Sequence, residues 1–269
     1  MRRILACLAL LLSVALPAAG QGLINLSSNS ISLDISRPGL PGTELSLSFE
    51  EVTGLSLLSL GLSVQVVNPY DSALQARLPA GVTAALPLLL RIEPPQPGGL
   101  SFRGLASLQI HTELLQYVPG TPLRLFHAPL GGTFEDMTAA MGAGSYRARG
   151  TTGGFSEFLI VSDSRTVDQA IAGKFDRLEG ELEEYAASMP APLYDDLEGR
   201  LAAARSDNEH GATAAAIQKI DGFLAVVQQH SGTEIPNVWR AARDVENVAG
   251  YLRAEAMTLR FSLALKLGS

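Results

Sequence analysis

The sequence is almost without cysteine: Cys7 is the single one among 269 residues. Cys7 lies inside an amino-terminal apolar segment, so the rest of the chain has no thiol with which to form a disulfide. Charged residues are also scarce, at 17%, and aromatic residues make up only 6%. The fold must therefore be stabilised by the packing of aliphatic side chains, without covalent cross-links.

Positive charge is in short supply as well, and known chemical motifs are missing. Asp and Glu outnumber Lys and Arg by 27 to 20, which gives a formal net charge of −7. An acidic surface repels phosphate backbones, which argues against nucleic acid as a partner. The sequence has no Gly-x-Ser-x-Gly, His-Glu-x-x-His, paired cysteines or aspartate-rich calcium loop. We therefore predict no catalytic residue, no metal site and no cofactor.

No apolar run is long enough to cross a bilayer, and the longest one begins the chain. Ile4–Leu16 is almost wholly apolar but shorter than the roughly 20 residues that a membrane helix needs. Arg2-Arg3 precedes this run, and Pro17-Ala18-Ala19-Gly20 follows it. This order of basic, apolar and small residues predicts a signal peptide over residues 1–20. The mature chain, with a formal net charge of −9 after loss of the two arginines, is expected to be periplasmic or secreted, without membrane insertion.

Residues 21–163 follow a two-residue hydrophobic period. Runs in which apolar and polar residues alternate are typical of strands with one buried and one solvent-facing side. The clearest runs are Ile31–Ile35, Leu45–Phe49, Leu60–Val66, Leu108–Ile110, Leu123–Leu125 and Phe158–Val161. Turns rich in glycine and proline separate them. We predict about ten strands in one antiparallel β-sandwich, with a division near residue 75 into two small β domains as the alternative.

The hydrophobic period changes to 3.6 residues in the last part of the chain, residues 164–269. Thr166 and Gln169 form a predicted capping box at the start of the first helix. The apolar face of that helix consists of Val167, Ile171, Phe175, Leu178, Leu182 and Tyr185.

Breaker residues divide the remainder into three further helices. Pro190 and Gly211 precede the second and third, and Pro236 is expected in the first turn of a last helix that runs from Val238. The predicted fold class is therefore segregated α+β: an N-terminal antiparallel β-sandwich followed by a C-terminal antiparallel bundle of about four helices.

Pro79–Val161 resembles the ZU5-type β-sandwich and related modules of bacterial surface proteins. The segments that carry the resemblance are Leu88–Pro94, Leu105–His111, Leu123–Phe126 and Gly154–Phe158. Some members of that family cleave their own backbone between Phe and Ser in a His-Phe-Ser triplet. Here Gly154 precedes Phe155-Ser156, so the imidazole that assists the serine is missing. The resemblance therefore implies a fold, and self-cleavage stays an alternative.

Leu201–Leu252 resembles a small helical domain of bacterial adhesins and extracellular enzymes, where it is an accessory module. The segments concerned are Gly211–Ile217, Phe223–Val227 and Gly232–Ile235. The whole chain resembles a bacterial exported family of unknown function, through Phe134–Thr138, Gly144–Arg147 and Asn237–Arg240. These resemblances imply an architecture and an adhesin-like character but no activity.

Arginine and aromatic residues lie close together in the second half of the β region and at the start of the last helix. Guanidinium groups bind acidic groups and aromatic rings stack on ligands, so they predict a face for an anionic or sugar ligand. The candidate ligand-binding set is Arg103, Arg124, Tyr146, Arg147, Arg149, Trp239 and Arg240. The alternative is that the arginines pair with acids such as Glu157 and Asp136, or with the acidic first helix, and that Trp239 is buried at the seam.

Other polar groups give weaker signals. His111 and His127 lie in predicted strands of the same region, and each is more typical of a partly buried polar residue than of a catalyst. Glu135-Asp136 is expected in a turn, with too few ligands for a tight calcium site.

These observations favour a non-enzymatic exported module of the cell envelope or secretome that recognises a protein or glycan partner, or has a structural role. One alternative is an extracellular hydrolase with its site at the seam between the two regions; a self-cleaving ZU5-like domain is another. A histidine beside Ser156 and a carboxylate would favour the hydrolase. An exposed strip of arginine and aromatic side chains would favour binding.

Overall fold

The computed structural model describes residues 24–36, 40–142 and 145–268. The predicted signal peptide, residues 1–20, and one of the predicted glycine- and proline-rich turns, Arg37-Pro38-Gly39, lie outside the described residues. Antiparallel sheets occupy the N-terminal and central part of the chain, and the long helices follow. The prediction of a mixed α+β protein, with its helices mostly C-terminal, is confirmed at this coarse level.

The strands are numbered in chain order. They are β1 (Ile24–Leu26), β2 (Ser30–Asp34), β3 (Thr43–Thr53), β4 (Leu62–Val66), β5 (Val82–Ile92), β6 (Ser101–Gln116), β7 (Leu123–Ala128), β8 (Glu135–Asp136), β9 (Thr138–Gly142), β10 (Ser145–Thr152), β11 (Glu157–Asp163) and β12 (Val238–Arg240).

The strands form two sheets. The larger has the order β1-β2-β3-β6-β10-β9, with β12 also paired to β6, and the smaller has the order β4-β5-β11-β7-β8. Strand β3 pairs with β6, and β4 pairs with β5. Each sheet therefore contains strands from both sides of residue 75, which does not fit the alternative division at that point.

Alternation of apolar and polar residues decides which side of each sheet faces inward, because successive side chains on a strand point to opposite sides. One hydrophobic cluster contains side chains from both sheets. From the larger sheet it includes Ile31, Leu33, Leu45, Leu47, Leu108, Ile110, Tyr146 and Ala148; from the smaller, Leu88, Leu90, Phe158 and Ile160. The polar residues that alternate with the buried residues of the larger sheet therefore lie on the outer side of that sheet.

The helices are α1 (Leu57–Leu60), α2 (Ser72–Gln75), α3 (Val167–Glu184), α4 (Ala191–Glu209), α5 (Thr213–His230) and α6 (Val248–Leu267). The predicted capping box of α3 is confirmed: the Gln169 N–H donates to Thr166 Oγ1 at 3.2 Å and the Thr166 N–H donates to Gln169 Oε1 at 2.9 Å. No helix among the described residues combines the length and hydrophobicity that a membrane crossing requires.

The predicted start of the last helix is wrong. Val238–Arg240 is strand β12, which pairs with Arg103–Ser101 of β6, and α6 begins only at Val248. Strand β10 pairs with β6 from Ala106 onward, so β12 extends the same side of β6 where β10 ends. The C-terminal part of the chain thus contributes a strand to the larger sheet.

Gly104 allows this strand to dock. Its φ of +69° is one that side chains disfavour, and a Cβ there would lie 1.9 Å from Glu50 Oε2. Its N–H donates to the carbonyl of Asn237, and its carbonyl accepts from the Asn247 side chain at 2.7 Å. Asn247 also caps α6 by accepting from the Gly250 N–H. These contacts place α6 against β6, β9 and β10 as well as against α3 and α5.

Candidate functional site

The outer side of the larger sheet carries serines together with longer polar and charged side chains. We call it the polar face and define it by Ser30, Ser32, Glu44, Ser46, Ser48, Ser107, Gln109, His111, Arg147 and Arg149. Each of these residues alternates with a residue of the hydrophobic cluster or its neighbour on the same strand. The polar face is therefore a consequence of the two-residue period that builds the core on the other side.

The strand register arranges the polar face in rows. Glu44 lies opposite His111, which lies opposite Arg147. In the next row Ser46 lies opposite Gln109, which lies opposite Arg149. Facing residues on neighbouring strands have Cβ atoms about 5 Å apart. An arginine thus ends both rows, and the opposite end is acidic only in the first row, where Glu44 faces Arg147 across His111.

A cleft adjoins the far end of the polar face. Its volume is about 460 Å³, and its lining residues are Leu224, Ala225, Gln228, Arg253, Met257 and Arg260 of α5 and α6. The Thr151 hydroxyl at the end of β10 is 3.7 Å from Met257 Sδ. Arg253 donates to both carboxylate oxygens of Glu50, at 2.7 and 2.8 Å. Met257 and Arg253 of the cleft therefore contact β10 and β3 of the larger sheet.

The predicted arginines do not form one cluster. Arg147 and Arg149 are exposed and adjacent on the polar face, and Arg149 donates to Gln109 Oε1 at 3.0 Å. Arg103 is also exposed, but it is eight positions from His111 along β6, roughly 25 Å at 3.3 Å per residue. The half-buried Arg124 of β7 donates to the carbonyls of Thr121 and Leu123, both at 2.7 Å.

The aromatic members of the predicted set do not face solvent. Tyr146 is fully buried, and Trp239 is 7% exposed. The Trp239 ring stacks on Phe102 at a centroid distance of 5.4 Å and meets Phe155 edge-on at 5.0 Å. Arg240 is exposed and forms an ion pair with Asp244 at 2.9 Å. Rings of Tyr146 and Trp239 are therefore unavailable as stacking platforms, and Trp239 is a buried contact at the seam.

The predicted partners of these arginines are also wrong. Glu157 is buried and pairs with Arg77 and Arg91. Burial raises its pKa, but the hydrogen bonds from the two guanidinium groups and the Gly131 N–H hold the pKa below its ordinary range. Asp136 lies in strand β8, not in a turn, and pairs with Lys174. The acidic residues that were expected to neutralise the polar face are therefore occupied elsewhere.

The groups considered for catalysis are separated. His111 is in the larger sheet and contacts Ser145, whereas His127 is in the smaller sheet and lies 3.8 Å from Glu255. Ser156 Oγ is buried with no hydrogen-bond partner among the described residues. A side chain at Gly154 would collide with the Tyr251 hydroxyl, 2.2 Å from the Cβ position. In the described part of the chain, no group of three or more metal-ligating side chains is assembled.

A second group of charges is buried between α3, α6 and the smaller sheet. Lys174 Nζ is 2.6 Å from Asp136 Oδ2, with side-chain exposures of 2% and 3%. Burial raises the pKa of Asp136, but the Lys174 ammonium and the Thr138 hydrogen bonds outweigh it and hold the pKa below its ordinary range. Arg177 pairs with Glu255 at 2.5 Å in the same way. The cluster joins α3 and α6 to the smaller sheet. Because its charged groups are closed to solvent, it is not a ligand site.

Glu181 lies beside this cluster without a cation of its own. Its Oε2 is buried and has no hydrogen-bond partner among the described residues. Burial, and then repulsion from Glu255 and Glu184, raises its pKa from 4.5 to about 7. The folded state therefore favours the protonated acid. The stability that this protonation contributes is fully present below about pH 4.5 and is lost as the pH rises through 7.

We expect Glu181→Gln to remove that loss, because the amide has the shape of the neutral acid. At pH 8 the free energy of unfolding should exceed that of the parent by roughly 2–3 kcal/mol, and near pH 4.5 the two should agree. Urea unfolding across this pH range is the measurement, with Glu183→Gln, at an exposed position of the same helix, as control. Parallel pH curves for Glu181→Gln and the parent would contradict the assignment.

Comparison with known families gives membership but no activity. A family of unknown function (DUF6689) matches residues 8–266, so the chain belongs to it. The search of curated proteins found no match. Family membership therefore leaves the role of the polar face to be argued from its geometry.

Proposed function

We propose that this member of the DUF6689 family is an exported binding module whose polar face recognises an acidic polysaccharide of the cell envelope. In this proposal residues 1–20 are the signal peptide, residues 21–163 form a β-sandwich domain, and residues 164–269 form an antiparallel helical bundle. The resemblance of these parts to ZU5-type modules and to the accessory domain of adhesins supports a role at or outside the cell surface.

The observation that carries the proposal is the pair Arg147 and Arg149. Both side chains are exposed, and neither forms an ion pair within the described residues. They lie two positions apart on one strand, so their attachment points are about 7 Å apart. Exposed cations with no acidic partner, in a chain whose net charge is −7, are available to an anionic ligand.

The composition of the polar face favours an acidic polysaccharide over a neutral one. Neutral sugars are held mainly by stacking on exposed aromatic rings, and the rings of Tyr146 and Trp239 are buried. Serine hydroxyls and Gln109 remain as hydrogen-bond partners for sugar hydroxyls. Arg253 and Arg260 beside the cleft are each paired with a carboxylate, so Arg147 and Arg149 are the cations of this region that are available to an anionic ligand.

We expect the double variant Arg147→Glu/Arg149→Glu to lose binding to polygalacturonate by at least about 100-fold. Each charge-assisted hydrogen bond contributes about 1.5–3 kcal/mol, and reversal adds repulsion. Titration calorimetry of the chain without residues 1–20 measures this, with dextran as the neutral polysaccharide. Parent affinity for polygalacturonate should fall with added salt.

The matched control is Lys219→Glu/Arg243→Glu, which changes the net charge equally at exposed positions outside the polar face. It should bind as the parent does. Equal losses in both double variants, equal affinity for dextran, or no polysaccharide binding by the parent would overturn the proposal. A partner recovered only as a protein would do the same.

A further inference from the structure

The Ser145 hydroxyl lies beside the polar face, followed by the His111 imidazole and then the Glu44 carboxylate of that face. His111 Nε2 is 2.5 Å from Ser145 Oγ, and His111 Nδ1 is 3.6 Å from Glu44 Oε2. His111 is 16% exposed, whereas Glu44 is 64% exposed. The His111 Nδ1 atom is buried and has no hydrogen-bond partner among the described residues.

The fold creates this alignment from three different strands. Glu44 of β3 lies directly opposite His111 of β6. On the other side of β6 the register of β10 shifts between Ser145 and Tyr146, so Ser145 is paired outside the regular ladder. This irregularity directs the Ser145 hydroxyl to His111 while Arg147 remains opposite the same histidine.

A cross-strand polar contact explains either distance alone. It does not explain why the other ring nitrogen, His111 Nδ1, faces the Glu44 carboxylate and has no other partner among the described residues. In the tautomer with its proton on Nδ1, His111 accepts the Ser145 hydroxyl proton at Nε2 and presents N–H to Glu44. That is the arrangement that activates a serine as a nucleophile.

We propose that Ser145 is the nucleophile of a carboxylic ester hydrolase, with His111 as general base and Glu44 as its positioning residue. Ser145 Oγ adds to the ester carbonyl while its proton passes to His111 Nε2. The tetrahedral intermediate then expels the alcohol, which takes that proton, and leaves an acyl group on Ser145. Water, deprotonated by His111, adds to this acyl carbonyl and releases the carboxylic acid, which restores the Ser145 hydroxyl.

Arg147 supplies the stabilising charge. It lies opposite His111, is exposed, and has no carboxylate partner within the described residues. Its guanidinium is therefore available to the oxyanion that forms during addition. Because Glu44 and Arg147 are exposed on either side of His111, the substrate class is an ester that projects from a polymer, such as an O-acyl group on a polysaccharide. This inference goes beyond binding and departs from the expectation of a non-enzymatic module.

The test is covalent labelling of the chain without residues 1–20 by an alkyl fluorophosphonate, followed by intact mass and peptide mapping. We expect one adduct per chain on Ser145 and slow hydrolysis of p-nitrophenyl acetate. Ser145→Ala should abolish the adduct and lower hydrolysis at least about 100-fold. His111→Gln should slow labelling by a similar factor, and Glu44→Gln by about tenfold. Ser63→Ala, at an exposed serine of β4 in the smaller sheet, should label as the parent does.

An unlabelled parent, an adduct on another serine, or normal labelling of His111→Gln overturns the inference. Circular dichroism of each variant verifies that it is folded. The polysaccharide titration is separate: Ser145→Ala should retain parent affinity for polygalacturonate if the binding proposal holds. If Ser145 is not labelled but polygalacturonate still binds, the catalytic inference is wrong and the binding proposal stands. If Ser145 is labelled but polygalacturonate does not bind, the proposed ligand is wrong and the catalytic inference stands.

Discussion

Replacing Lys174 with methionine should lower the free energy of unfolding by about 3–5 kcal/mol, because the Asp136 carboxylate would stay buried without its cation. Lys174 Nζ also donates to the Thr258 hydroxyl at 2.7 Å and to the Ser262 hydroxyl at 2.9 Å. These acceptors would lose their donor as well. Urea unfolding followed by circular dichroism at pH 7 measures the loss.

The pH dependence of this variant distinguishes a buried charge from a simple loss of packing. In the parent the pKa of Asp136 lies below its ordinary value of 3.8, so the stability that this carboxylate contributes is present above that pH and is lost as the pH falls through the folded pKa. Without Lys174, burial raises that pKa instead. The deficit of Lys174→Met should therefore shrink as the pH falls from 7 toward 5.

Two control variants complete this experiment. Lys219→Met removes an exposed lysine of α5 and should change the free energy of unfolding by less than about 0.5 kcal/mol. Asp136→Asn combined with Lys174→Met should recover part of the loss, because no buried charge remains unpaired. A loss below 1 kcal/mol in Lys174→Met would show that the ion pair does not hold the helices to the sheets.

The sequence predicts much of the fold because most elements carry their own local signal. Strand β3 alternates Leu45, Leu47 and Phe49 with polar residues, and all three are buried. Helix α3 begins after the Thr166 cap, as its capping box indicates. These patterns depend on neighbours in sequence, so they survive without knowledge of the tertiary structure.

The last helix was misplaced because a tertiary contact overrides the local pattern. Pro236 and a spacing of three and four residues are typical of a helix start, yet the Val238–Arg240 backbone pairs with β6, and Trp239 fits between aromatic rings. The cap that begins α6 is Asn247, whose side chain also bonds across to Gly104. A three-residue strand joined to a partner more than a hundred positions away has no periodicity of its own.

The candidate site was only partly predictable for the same reason. Once Arg147 and Arg149 are placed outward, the two-residue period already requires Tyr146 to point inward, so its burial was readable from the sequence. The approach of Ser145 to His111 was not, because it depends on the register shift in β10. Registers between distant strands follow from the whole sheet, and no local motif encodes them.

Contacts across the seam imply that the two regions unfold together. Strand β12 belongs to the helical part of the chain but to the larger sheet, and the Asp136–Lys174 pair joins the smaller sheet to α3. Loss of either contact exposes groups on both sides. Unfolding of the helices and of the sheets should therefore coincide, with tryptophan fluorescence and far-ultraviolet circular dichroism giving one transition midpoint.

Trp239→Ala should lower the free energy of unfolding by about 3–5 kcal/mol, since it removes a large buried ring and leaves a cavity beside Phe102 and Phe155. Trp239→Phe, which keeps an aromatic ring there, should lose less than half as much. Chemical unfolding followed by circular dichroism measures both, and Tyr70→Ala, which truncates an aromatic side chain that is 89% exposed, is the control. If Trp239→Ala were no more destabilising than Tyr70→Ala, β12 would not be an integral strand of the larger sheet. The start of α6 would then no longer be held beside the larger sheet, because the turn that leads into α6 follows directly from this strand.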